Sequence, residues 1–575
     1  MRLIKLSSNM NSFHTIEFKD GLNLIVGQQA DPNNKNKRNT YNGVGKSLTI
    51  YLIHFCLGAN KIKMFEEKLP GWEFSLEFQI DNEIFVSRRQ TSKQNEIYLN
   101  NEKHTLAKFR KELLSKVFSM DQNIKNLTFN TLFPRFIRRD RECYTQYDTF
   151  IRNEQDYSKL LNNAYLLGLD IEYAVEKKGI RDSYKKTGEL TKGLEQDPVI
   201  KEHFNNKEDA EIEILDLEEE IKALEREVQE FKVAKNYHEI EKDADELQYK
   251  IKKISNQRVL VNNSIRNIEK SLEIKPDISS EKVLNLYSEA EIQIPQIITK
   301  KVEEVVNFHE ALLSNRKKRL FNEMKKKKTD LKALEGQIEE FGKELDQHLA
   351  YLHTHRALDE YVAVNKKLTD LKIKRDRLQE YQEILKTYKK KLRDFQVDFA
   401  QQTEETDTYL ENIKDLLEQI MTTFRDLSKE FYDKPGGIKI QNNDGENTIR
   451  FDIIAKIQDD SSDGVNEVKI FCFDMTLLLL QQNHKMKFLF HDSRLFSNMD
   501  PRQRYTLFKL AYNKTKEHNY QYIASVNEDT LISIKEIMNP EEYTEIIEKN
   551  VRLRLTDESE ESKLLGIQID MDYEK

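Results

Sequence analysis

Residues 22–58 read LNLIVGQQADPNNKNKRNTYNGVGKSLTIYLIHFCLG. Leu22 to Val26 is a short apolar run that stops at Gly27, as a strand running into a turn would. Asn42-Gly43-Val44-Gly45-Lys46-Ser47 is the second half of a phosphate-binding loop, and the apolar pattern of Leu48 to Leu57 behind it is helical. The usual loop, G-x-x-x-x-G-K-[ST], sets its two glycines five residues apart. Here Gly27 and Gly45 are eighteen apart, an excess of thirteen. The excess is polar, QQADPNNKNKRNTY over 28–41, with Lys35, Lys37 and Arg38 against Asp31. A surface excursion of that length adds little closure entropy. The loop therefore reads as intact, opened by Gly27 and closed by Gly43 to Ser47. The insertion is either an inert excursion or a basic flap toward nucleotide, a second head or DNA.

Working outward, 575 residues exceed one compact core. A third of the chain is charged, with only 17 Gly and 9 Pro, so long helices are expected. Cys56, Cys143 and Cys472 are far apart, which excludes a disulfide framework and a cysteine zinc site and fits a reducing compartment. No signal pattern opens the chain and no apolar run reaches membrane-spanning length. The expectation is a cytoplasmic protein without a membrane segment.

The chain divides into mixed ends and a helical middle. Residues 1–171 carry strand-like runs such as FSLEFQI and EIFVSRR and form an N-terminal lobe. Residues 172–275 are an outgoing arm, 276–315 an apex marked by Pro276 and Pro295, and 316–431 a returning arm. Residues 432–575 form a C-terminal lobe, starting with the breaker DKPGG and a predicted hairpin in IKIQNNDGENTIRFDIIAKI. Ile214, Leu217, Ile221, Leu224, Val228 and Phe231 recur at steps of three and four, as do Leu331, Leu334, Ile338, Phe341, Leu345, His348 and Leu352. Such stripes are buried only by partner helices. An antiparallel hairpin brings the two lobes together, whereas a two-stranded dimer coil leaves them apart.

The lobes hold complementary halves of a nucleotide site. MKFLFHDSRLFSNMD, residues 486–500, is an apolar strand ending in Asp492. A strand-terminal carboxylate beside a phosphate loop holds Mg²⁺ directly or through water. Lys46 then reaches the β- and γ-phosphates of ATP, Ser47 ligates Mg²⁺, and backbone N–H groups from Asn42 to Leu48 cradle the phosphates.

This layout resembles the SMC (structural maintenance of chromosomes) class of ABC ATPases. With FCFDMTLL at 471–478 ahead of the His-Asp-Ser strand end, it is similar to the SMC-like subunits of bacterial three-component anti-phage systems. The resemblance implies an α/β fold with a split ABC-type ATPase head and a long antiparallel coiled-coil insertion. It implies ATP and Mg²⁺ as cofactors, homodimerisation through ATP-engaged heads, sequence-independent DNA contact, and co-encoded accessory and effector subunits. The class also contains DNA repair and recombination ATPases, and a nucleotide-clamped scaffold with little turnover is the third reading.

Carried over residue by residue, the resemblance places Ser462 and Gly464 of SSDGVNE in a signature-like loop. It places Asp500 in the D-loop, Gln146 at the metal-side glutamine, and Asn527 where a switch His stands. Ser493 occupies the place of the water-orienting Glu, so slow hydrolysis is expected, with Asp492, Ser493 and Asn527 as the catalytic group. Basic runs at 134–142 (PRFIRRDRE) and 316–328 (RKKRLFNEMKKKK), and Arg88 and Arg89, are each either DNA contacts or ordinary charge. His491 reads as a packed histidine or a base.

Overall fold

The computed structural model describes residues 1–29, 43–120, 124–196, 209–230, 235–273, 296–352, 358–434, 436–457 and 462–569. The insertion beyond Gln29, Asn42, Phe231, Pro276 and Pro295 lie outside the described residues. The chain forms two compact units. One gathers Met1–Arg181, Lys282–Glu304 and Phe399–Lys575, and the other Asp182–Glu281 and Val305–Asp398.

In the first unit, β1 (Arg2–Ser8), β2 (Ile16–Glu17), β4 (Glu73–Ile80), β5 (Glu83–Gln90), β6 (Glu96–Leu99) and β7 (Glu102–Thr105) make an antiparallel sheet ordered β2-β1-β4-β5-β6-β7. FSLEFQI is the core of β4, where strict alternation buries Phe74, Leu76, Phe78 and Ile80 on one face.

The second sheet decides the architecture. It holds β3 (Gly21–Gln28), β10 (Phe488–His491), β11 (Gln521–Asn527) and β12 (Val551–Thr556), all parallel, ordered β10-β11-β3-β12. Parallel strands buried on both faces read as continuous apolar runs, which accounts for LNLIV and FLF. The P-loop strand β3 comes from the N-terminal lobe and both its neighbours from the C-terminal lobe. The expected hairpin at 438–457 is β8 (Gly437–Asn442) against β9 (Phe451–Lys456). The fold is α/β: the two lobes share one parallel sheet, as expected of a split head, with an antiparallel coiled-coil insertion between them in the chain.

Within the second unit, helix Asp209–Glu230 runs antiparallel to part of helix Leu358–Asn412. Ile214 and Leu217 pack on Leu378, and Ile221 and Leu224 on Leu368. Lys374 reaches Glu213 at 2.5 Å and Lys367 reaches Glu220 at 2.7 Å. The outgoing stripe is thus covered by residues 364–378. Leu345 and Leu352, of the second stripe, lie with Ile240 and Ala244 of helix Lys235–Glu273. Among the described residues no helix is long and apolar enough to cross a membrane.

Candidate nucleotide site

At the end of β3 the backbone passes directly beneath a side chain. A Cβ on Gly27 would lie 2.6 Å from Lys46 Cδ, so only glycine lets the lysine fold back over the strand end. The turn into helix Lys46–Cys56 needs two more glycines, with φ +91° at Gly43 and +105° at Gly45, where L side chains are strained. Lys46 is buried, and burial lowers its pKa to about 8 against the opposing pull of Asp492 and Asp529. Val44 and Leu48 are buried in the core, so only their backbone is left to face a ligand.

Ser47 and Asp492 meet, as the sequence placed them. Ser47 Oγ is 3.1 Å from each Asp492 carboxylate oxygen. Three further groups also hold Asp492. Ser525 Oγ donates to Oδ1 at 2.6 Å, the Asp492 N–H donates to Tyr144 Oη at 2.8 Å, and Arg494 Nε lies 3.6 Å from Oδ2. Ser493 sits half-buried at the start of the turn after β10.

Asn527 ends β11 directly opposite Gly27 in the parallel register. Its Oδ1 is buried and makes no hydrogen bond. An orphaned buried acceptor costs about 1–3 kcal/mol unless something satisfies it. A phosphate oxygen is itself an acceptor and cannot satisfy it, whereas a metal-bound water can. With the buried Lys46 cation and the Ser47–Asp492 pair, the site fits a polyanion with Mg²⁺. Lys46 and the N–H groups of the loop would hold phosphate, and Ser47 and Asp492 the metal.

The loop expected to be signature-like meets the loop expected to be the D-loop. A Cβ on Gly464 would fall 2.9 Å from the Asn498 carbonyl oxygen. Ser462 stands exposed at the N-cap of helix Asp463–Leu480. Glu467 on that helix accepts from Ser497 Oγ at 3.1 Å and from the Asn498 N–H at 3.0 Å, and burial raises its pKa to about 7. Asp500 caps helix Pro501–His518 by accepting the N–H groups of Arg502 and Gln503. The Gln146 side chain is exposed, and the backbone carbonyl of Gln146 accepts from Arg138 Nη1 at 3.2 Å.

Beneath Asp492 lies a fully buried ionic network. Arg138 grips both oxygens of Asp474 at 2.5 and 2.7 Å and donates to the carbonyls of Cys143, Tyr147 and Thr149. The paired Asp474 is an acceptor, and burial keeps His491 neutral, so Nε2–H donates to Asp474 at 2.9 Å and Nδ1 accepts from Tyr522 Oη at 3.0 Å. His491 is thus a packed histidine with both nitrogens engaged. Arg135 is buried likewise, against Glu154 at 2.9 Å, and Arg89 against the carbonyls of Phe55, Ala59 and Gln94. These three arginines are internal ties and not a DNA face. Cys56, Cys143 and Cys472 are buried free thiols.

One feature of the site had no counterpart in the motifs. Leu564 donates its N–H to the Val44 carbonyl at 3.0 Å, and its own carbonyl accepts from His14 N at 2.9 Å. The segment after β12 therefore ties the first loop of the chain to the phosphate loop.

A bacterial family described as "uncharacterised protein conserved in bacteria (DUF2326)" matches residues 427–569, the span holding β8 to β12 and Asp492. No curated protein matches the chain. Among solved structures, the chain is similar to the Smc head domain with a coiled coil and joint from Pyrococcus yayanosii, at 16% identity, over 93% of each chain, with a TM-score of 0.34. It is also similar to the Smc head domain with an extended coiled coil bound to the C-terminal domain of ScpA from Pyrococcus furiosus. That likeness has 12% identity over 93% of this chain and 91% of the other, with a TM-score of 0.34.

Proposed function

We propose that this chain is an SMC-like ATP-binding subunit that works as a slow, DNA-responsive switch. The observation that carries the reading is the meeting of two distant half-sites. Lys46 folds over Gly27, and Ser47 touches Asp492, 445 residues further along the chain. Bound ATP with Mg²⁺ supplies the charge that joins two heads. Lys46 then holds phosphate, Ser47 and Asp492 hold the metal, and Asn527 offers a hydrogen bond to the γ-phosphate. Ser462 and Gly464 of one head face the phosphates held by the other, with Asp500 beside them in the D-loop and Gln146 on the metal side. DNA is engaged through its backbone along the coiled-coil unit, independently of sequence. The output passes to co-encoded accessory and effector subunits, in bacterial anti-phage defence, from the cytoplasm.

The test is equilibrium binding of a fluorescent ATP analogue to the full chain. Lys46→Ala should abolish binding, and Asp492→Ala should remove its Mg²⁺ dependence. Unchanged affinity in Lys46→Ala would take the reading down. Ser493 favours one second reading, a nucleotide-clamped scaffold that binds ATP without turning it over. A single-turnover measurement that finds no hydrolysis over hours would select it.

A further inference from the structure

Helix Gln296–Leu352 carries its coil seam on Leu320, Met324, Lys327, Leu331, Leu334 and Ile338, which are half-buried at steps of four and three. Phe321 is off that seam and 58% exposed. At 3.6 residues per turn, Lys317, Lys325, Lys328 and Lys332 all project within about 40° of Phe321. All four are exposed. A strip about 22 Å long therefore carries lysine, phenylalanine and three more lysines in line. Among the described residues, one of these lysines, Lys328, meets a carboxylate, Glu269 at 3.4 Å.

A lone exposed apolar residue is ordinary, but this one is a flat ring set between cations. Lysines alone attract any phosphate backbone, duplex or single-stranded. A ring on the same line gains nothing from a duplex backbone, because paired bases are stacked inside. It gains from an unpaired base, which stacks on an aromatic face while its flanking phosphates meet the cations. We infer that this strip is a binding site for single-stranded nucleic acid, with Phe321 as the base-stacking platform and Lys317, Lys325, Lys328 and Lys332 as phosphate contacts. The inference deepens the proposed DNA engagement and rests on it, while naming the form of DNA recognised here.

The experiment uses the full-length chain with a fluorescein-labelled oligothymidylate and a duplex of the same length. Phe321→Ala should weaken oligothymidylate binding about tenfold, within the range for loss of one base stack, and leave duplex binding within about twofold. Phe321→Trp should keep the affinity, and its new indole should be quenched on binding. Lys325→Glu with Lys328→Glu should weaken both ligands and lower the salt dependence of each. If Phe321→Ala leaves oligothymidylate affinity unchanged while the lysine variant loses it, the stacking inference fails and the DNA reading stands. If the lysine variant binds both ligands as the wild type does, the DNA reading of this run fails with it. If Phe321→Ala alters the oligomeric mass with DNA affinity intact, Phe321 is a protein contact and the inference is overturned.

Discussion

Gly27 and Lys46 are nineteen residues apart, yet the glycine exists for the lysine. Gly27→Ala would push aside the end of a flexible side chain and leave the strand intact. ATP affinity should fall about tenfold to a hundredfold, the worth of one charge-assisted contact, with an unchanged thermal midpoint. An unaltered affinity would mean that the loop begins somewhere other than Gly27. Lys46 also gives a pH signature. Its pKa in the free head is about 8, so above that pH the lysine must take up a proton to meet phosphate. ATP affinity should decline as pH rises above 8, and calorimetry in buffers of different ionisation enthalpy should reveal the proton uptake. The sign for stability is opposite. The folded head binds fewer protons than the unfolded chain between pH 8 and the ordinary lysine value of 10.5, so this group's burial penalty shrinks as pH rises through that window. At this scale Gly43 to Ser47 and Asp492 were legible, because a motif fixes spacing. Tyr144 and Ser525 were not, since a single hydroxyl that reaches the site only through sheet pairing leaves no local pattern.

Elements were legible where burial imposes a period. Alternation identified β4, and the continuous apolar run identified β3. The stripe at 214–228 announced a buried face but could not name its partner, because a heptad records the need for a neighbouring helix and nothing about which one. The arginines of 134–142 stayed open to two readings for the same reason, since charge says nothing about direction, and Arg135 and Arg138 turn out to be buried. Arg138 points inward and ties helix Asp463–Leu480, through Asp474, to the loop that holds Tyr144. Asp474→Ala would leave a buried guanidinium unpaired, a loss of about 3–5 kcal/mol, measurable by urea unfolding of the purified chain. Asp474→Asn, which keeps an acceptor, should cost clearly less. Equal losses would show that charge and not shape holds the network.

On the proposed reading, the behaviour of the whole molecule turns on how long ATP stays intact. Positioning and electrostatics dominate water attack on a γ-phosphate, and on that reading Ser493 places no carboxylate at the usual point. Wild-type turnover should sit far below the median enzyme rate of about 10 per second. Ser493→Glu should raise it and shorten the life of the ATP-bound dimer, as followed by single-turnover hydrolysis and light scattering. Fast wild-type hydrolysis abolished by Ser493→Ala would remove the slow-switch reading. The shared sheet makes a separate demand. Residues 1–181 expressed alone should not bind ATP, whereas co-expression with 399–575 should restore binding. A first fragment that bound ATP unaided would show that β3 needs no neighbours. The same topology has a bearing on biosynthesis. On the ribosome, the phosphate loop emerges before the entire coiled insertion, and its strand waits without either neighbour until β11 and β12 follow. Contacts this remote in sequence form late and slowly. A nascent or prematurely terminated chain therefore lacks the complete sheet, and with it the assembled site.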